Sequence, residues 1–253
     1  MSLEIRNGVT LHIERLGETG SPVVMLHGLF VGSMASWYFT AAPALAKKHR
    51  VLLFDLRGHG KSERAPSGYD VPTMTADLEA VAGEFSADDK LTLVGHSYGA
   101  VIALSYAMLH PQRVQKLVIV DAPLPVSRLE ELNTFTGKNP SEMLAALPAD
   151  LATTLSQKGR QARRLAEALR FLATETTLLA DLRHAEDIED GALAALTCST
   201  FCIYGSRSSC LPVGERLAKK IPNARLKIID GGHFLPAEAP TALAHAIAEA
   251  VDG

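Results

Sequence analysis

Six short runs rich in Val, Ile and Leu, spaced by longer helical patterns, constrain this 253-residue chain more than any other feature. They are PVVML (22–26), RVLLFD (50–55), LTLVG (91–95), KLVIVD (116–121), TFCIYG (200–205) and LKIID (226–230). Apolar runs without alternation suit strands buried on both faces, as in a parallel sheet. Helical patterns at 76–85, 98–109 and 213–221 lie between them. Residues 3–6 and 10–15 read as two further strands, antiparallel and joined by an Asn7-Gly8 turn. The pattern predicts a doubly wound, mostly parallel α/β sheet of about eight strands.

One stretch breaks the alternation. Between Asp121 and Thr200 no run reads as a strand, and segments such as 141–147 and 160–179 are rich in Leu, Ala, Arg and Glu. The stretch is too long for a loop inside a compact domain. The expected organisation is a core of 1–125 and 191–253 with a helical cap inserted at 126–190. Extra helices on one flank are the alternative. The insertion's exit from the C-terminal end of a strand, where sites in open α/β sheets lie, favours a cap.

Composition narrows the function classes. Apolar residues make up 47% and charged residues 21%, an ordinary globular balance. The net charge is −3, and no Lys/Arg tract interleaves with aromatics, so nucleic acid is not an expected partner. No apolar run approaches the ~20 residues of a membrane helix. The N-terminus lacks the pattern of a secretory signal, so a cytoplasmic protein is expected. Cys198, Cys202 and Cys210 are odd in number and not spaced like zinc ligands. No metal and no organic cofactor is expected.

The chemistry centres on Gly95-His96-Ser97-Tyr98-Gly99, which follows the strand LTLV and opens a helix. This is G-x-S-x-G in its required setting of strand, sharp turn and helix. The turn projects the serine above the sheet edge, and larger side chains two positions away on either side would clash. His27-Gly28-Leu29-Phe30 follows PVVML and offers backbone N–H groups at the same edge. An oxyanion hole from the amides of Leu29 and Tyr98 is expected, with His27 structural. Gly231-Gly232-His233-Phe234 follows the last predicted strand. Of nine histidines, His233 alone combines a late strand with a glycine-rich approach. The order, Ser before His, suits a serine nucleophile with His233 as base.

On these motifs, and on Asp55-Leu56-Arg57-Gly58-His59-Gly60-Lys61-Ser62, the chain resembles the α/β-hydrolase superfamily along nearly its whole length. That family includes carboxylesterases, lipases, haloalkane dehalogenases and carbon–carbon hydrolases. The resemblance implies an α/β-hydrolase fold, a pocket shaped by the cap, and a bracing role for Asp55 and Arg57. One position departs from the family. The triad acid usually follows the strand read here as TFCIYG, and Ser208 fills its place. Asp121, ending KLVIV, is the favoured acid, as haloalkane dehalogenases place theirs after this strand. A Ser97–His233 dyad assisted by Ser208 is the alternative. Asp230 sits too close to His233 in sequence to face its ring easily.

The motifs and the resemblance imply a carboxylic ester hydrolase working through an acyl-enzyme on a small-molecule ester, and the Leu, Ala and Phe of the expected cap point to a small or medium apolar acyl group. Thioester, lactone and carbon–carbon bond hydrolysis would use the same constellation. A serine argues against dehalogenase or epoxide chemistry, for which the family uses an aspartate. From another class, a ligand-binding protein on a retired hydrolase fold is the competing reading, given the serine at 208. Oligomeric state is not legible.

Overall fold

The computed structural model describes residues 2–128, 142 and 159–253. Eight strands form one sheet: β1 (Ser2–Arg6), β2 (Val9–Leu16), β3 (Pro22–Leu26), β4 (Arg50–Phe54), β5 (Leu91–His96), β6 (Val114–Val120), β7 (Ser199–Gly205) and β8 (Ala224–Ile229). Their spatial order is β1-β2-β4-β3-β5-β6-β7-β8. β1 and β2 form an antiparallel hairpin, and β2 is antiparallel to β4. The others run parallel. Asn7 and Gly8 take φ of 47° and 74°, the left-handed pair that a two-residue hairpin turn needs.

Between strands lie helices α1 (Ala35–Tyr38), α2 (Ala42–Leu45), α3 (Val71–Ala82), α4 (Tyr98–Leu109), α5 (Gly159–Thr174), α6 (Leu178–Arg183), α7 (Asp190–Ala194), α8 (Leu211–Lys220), α9 (Leu235–Glu238) and α10 (Pro240–Asp252), numbered among the described residues. α3 begins a turn before the predicted 76–85, because Asp70 caps it and accepts from the Thr73 amide at 2.8 Å.

Successive strand residues face opposite sides of the sheet, so each strand feeds two cores. Val24, Leu26, Leu93 and Ile119 pack with residues of α3 and α4. Val23, Met25, Val94 and Val118 pack with residues of α2 and α10. Every residue of β3 and β5 is buried, as their unbroken apolar runs require. β8 departs from the expected burial on both faces. It is the sheet edge, half exposed, with Ile228 open to solvent.

The chain passes from β3 to β4 on one side of β3, then to β5 on the other. This reversal leaves a crevice at the C-terminal ends of β3 and β5, where α/β sheets bind ligands.

Among the described residues of 126–190 there is helix and no strand. The predicted helix at 160–179 is two, α5 and α6, with a break at 175–177. The predicted helix at 141–147 lies, apart from Glu142, outside the described residues. Leu169, Leu172, Leu178 and Leu182 are buried in the core that holds Tyr69 and Tyr98. The Thr177 amide donates to Pro66 O at 3.0 Å, and Asp181 accepts from the Tyr69 amide at 3.0 Å. Both contacts tie the insertion to the loop after β4.

Candidate active site

Four neighbouring strands deliver the site in order along one edge. Ser97 follows β5, and its amide donates to Val120 O of β6 at 2.8 Å. Asp121 follows β6, and its amide donates to Ile203 O of β7 at 2.9 Å. Ser208 lies just past β7, and His233 lies in the loop after β8. Parallel pairing thus places at one edge side chains far apart in sequence.

Ser97 sits at φ 53° and ψ −124°, a strained conformation for a residue with a side chain. It precedes α4, yet its hydroxyl makes no capping bond. The glycines around it are required by close approach. A Cβ on Gly95 would lie 2.4 Å from Ala100 Cα, and one on Gly99 would lie 2.4 Å from His27 O. The Ser97 Oγ lies 2.9 Å from His233 Nε2. The other ring nitrogen, Nδ1, lies 2.8 Å from Asp121 Oδ1. A carboxylate only accepts, so Nδ1 carries the proton and Nε2 turns a lone pair to the serine.

Asp121 is fully buried and also at positive φ, 48°. Its Oδ2 accepts from the Gly205 amide at 2.7 Å. Its Oδ1 accepts from the Ser208 hydroxyl at 2.5 Å. Ser208 therefore touches the carboxylate, and the imidazole nitrogen faces Asp121. The Ser208 Oγ in turn accepts from the Cys210 amide at 3.0 Å. Asp230 is exposed and paired with Arg207, and the ring nitrogen is met by Asp121 instead.

The loop 27–30 runs against the nucleophile turn. A Cβ on Gly28 would lie 3.0 Å from Ser97 Cβ. The Phe30 amide is committed to His59 Nε2 at 3.0 Å. Tyr98 is the first residue of α4, where a backbone N–H has no intrahelical acceptor. Leu29 and Tyr98 are both buried.

Two residues not read from the sequence as part of the site, His96 and Glu238, hold it together. His96 Nε2 donates to the backbone carbonyl of His233 at 2.9 Å. Glu238 accepts from the amides of Gly232, at 2.7 Å, and Phe234, at 3.2 Å, pinning the histidine loop from both sides. Cys210 places its sulfur 3.7 Å from His233 Nδ1. No sequence spacing signalled these contacts, since each spans a turn or a crossover.

Asp55 and Arg57 brace the loops beneath, as the resemblance implied. Asp55 accepts from the Met34 and Lys61 amides and from His12 Nδ1, at 2.8, 3.0 and 2.8 Å. Burial works to raise its pKa, but His27, these amides and His12 together hold it below the usual value. Arg57 grips Asp77 with two bonds of 2.7 Å. His27 donates from Nδ1 to Gly28 O at 2.7 Å and accepts at Nε2 from the Leu56 amide at 2.9 Å, a structural role.

Burial lowers the pKa of all three framework histidines: His27 downward, His59 to about 3 and His96 to about 4, the last two pushed further by a neighbouring histidine. Each is thus buried neutral, while the unfolded chain takes up a proton near pH 6.5. The unfolded state then binds more protons below that pH, so stability falls as pH falls. At pH 5, His59 and His96 should each cost on the order of 2 kcal/mol relative to pH 7. Urea unfolding at pH 7 and pH 5 measures this. An unchanged midpoint would contradict the neutral burial of these side chains.

A mostly parallel sheet with a hydroxyl, an imidazole and a carboxylate in line at its switch point has the architecture of a hydrolase. The family defined by the alpha/beta hydrolase fold matches residues 21–240, and the chain belongs to it. A soluble epoxide hydrolase of Corynebacterium sp. (strain C12) is 32% identical over 158 residues, which cover 57% of this chain and 53% of that protein. The chain thus spans about half the length of that relative. A 2-hydroxy-6-oxononadienedioate/2-hydroxy-6-oxononatrienedioate hydrolase of Cupriavidus pinatubonensis is 29% identical, covering 88% of this chain and 84% of that one. Among solved structures, the enol-lactonase from Burkholderia xenovorans LB400 superposes with a TM-score of 0.81 at 18% identity, covering 100% of both chains. No helix among the described residues is long and apolar enough to cross a membrane.

Proposed function

We propose that the chain is a serine hydrolase that cleaves carboxylic esters through an acyl-enzyme intermediate. The observation that carries this reading is the unbroken path from Ser97 Oγ to His233 Nε2, 2.9 Å, and from His233 Nδ1 to Asp121 Oδ1, 2.8 Å. Both distances lie within reach for proton transfer.

Ser97 attacks the substrate carbonyl as His233 takes its proton. The tetrahedral oxyanion is met by the amides of Leu29 and Tyr98. His233 then hands the proton to the leaving alcohol and activates water for the second half. Asp121 holds the tautomer and stabilises the imidazolium. Residues 126–190 act as a cap over Ser97, and its apolar side chains select a small apolar acyl group.

Epoxide opening, the activity named for one relative, does not fit this nucleophile. A serine alkylated by an epoxide would become an ether, which water does not cleave, whereas an acyl-serine is hydrolysed. Lactone hydrolysis, named for the Burkholderia neighbour, and thioester and carbon–carbon bond hydrolysis use the same acyl chemistry and are the second reading. A non-catalytic binding protein is the competing one. The three unbridged cysteines suit a reducing compartment, so a cytoplasmic place belongs to the proposal.

A panel of p-nitrophenyl esters and acyl thioesters of graded chain length, with a lactone series beside it, tests the reading. Turnover should be highest for short to medium acyl esters. Faster turnover of lactones or thioesters would move the assignment to those substrates, and no turnover on any would remove it.

A further inference from the structure

Cys210 lies next to the start of α8 and is buried, and neither fold nor mechanism explains its chemistry. Its sulfur lies 3.7 Å from the His233 nitrogen that faces Asp121. Asp121, Cys210 and His233 each offer one ligand atom, and the three atoms lie within 4.8 Å of one another. We propose that these residues form a Zn2+ site, and that filling it switches hydrolysis off.

The donor set is one thiolate, one imidazole nitrogen and one carboxylate oxygen, a mixture that suits zinc. With ordinary zinc bond lengths and tetrahedral angles, sulfur and nitrogen ligands sit about 3.6 Å apart, and nitrogen and oxygen ligands about 3.3 Å. The 3.7 Å between Cys210 Sγ and His233 Nδ1 already fits. The 2.8 Å between Nδ1 and Asp121 Oδ1 must open by about half an ångström, a shift that a small rotation of the His233 side chain supplies while Glu238 and His96 hold its backbone. Asp121 keeps the Gly205 amide and the Ser208 hydroxyl throughout.

The protons balance simply. Zn2+ displaces the thiol proton of Cys210 to solvent. It also takes the lone pair of Nδ1, so the ring proton moves to Nε2. An Nε2 that carries a proton cannot accept one from Ser97, and the general base is lost. The inhibition rests on the reading of Ser97 and His233 as nucleophile and base, whereas the binding itself does not.

Cobalt(II) tests the binding without any substrate, because a thiolate on cobalt gives a near-ultraviolet charge-transfer band. Wild type should develop a saturable band that Zn2+ displaces, and Cys210→Ala should not. Micromolar Zn2+ should also slow p-nitrophenyl ester hydrolysis at least tenfold, and a chelator should restore it. Cys210→Ala should need at least tenfold more Zn2+ than wild type to lose the same fraction of its own metal-free turnover. The proposal is overturned by a band that persists in Cys210→Ala, by no band in wild type at millimolar cobalt, or by equal zinc sensitivity of the two proteins. If wild type hydrolyses nothing, the reading of Ser97 fails, and the cobalt band still decides the metal site.

Discussion

Asp121→Asn should lower turnover by about 10⁴-fold, the cost of placing an amide where a catalytic histidine expects a carboxylate. The site offers the amide no good orientation. If its oxygen takes the Gly205 amide, its NH2 faces His233 Nδ1, and the ring proton is driven to Nε2, where it blocks the base. If its oxygen faces His233 instead, its NH2 meets the Gly205 N–H, which now bonds Asp121 Oδ2 at 2.7 Å. Either way the imidazolium loses its counter-charge. Ser208→Ala should cost less than about tenfold. It removes one donor to Asp121 and the acceptor of the Cys210 amide, a loss of the order of 1 kcal/mol each, and leaves the Nδ1 contact in place. A dyad assisted by Ser208 predicts the opposite ranking. kcat for both variants on one ester, with circular dichroism to show that they fold, decides between them.

Ser97→Ala should lower turnover by about 10⁵-fold or more while changing stability by less than about 1 kcal/mol. The two halves have separate causes. Oγ is the reacting atom, so its loss removes the covalent route and leaves only what binding and the oxyanion hole supply to water. For stability the hydroxyl matters little, since it does not cap α4 and alanine keeps the same strained backbone at φ 53°. A variant within tenfold of wild type, with contaminating esterase excluded, would remove Ser97 from the chemistry.

The strands of the parallel sheet were readable because burial on both faces leaves long apolar runs, as PVVML at 22–26 shows by matching β3 residue for residue. β8 was readable as a strand but not as an edge, because its place depends on what pairs beside it. Ser97 and His233 were readable because strand–turn–helix and glycine-rich loops are local patterns. The carboxylate was harder. Asp121 and His233 are 112 residues apart and meet only through strand order. Ser208, which by resemblance stands where the family usually has its acid, bonds Asp121, a relation that no spacing encodes. The same holds for His96, which reads as a filler in the GHSYG turn yet fixes the backbone of His233 across the site. The three cysteines lack zinc spacing in the sequence, yet the turn after β7 and the loop after β8 bring the sulfur of Cys210 to His233.

A fluorophosphonate probe tests the central claim most directly, because it reacts only with a serine whose hydroxyl is activated. Mass spectrometry of the labelled wild-type protein should find one adduct, on Ser97. His233→Ala should slow labelling by several orders of magnitude, and Ser97→Ala should abolish it. Wild-type protein that stays unlabelled, or an adduct on any other residue, would contradict the account.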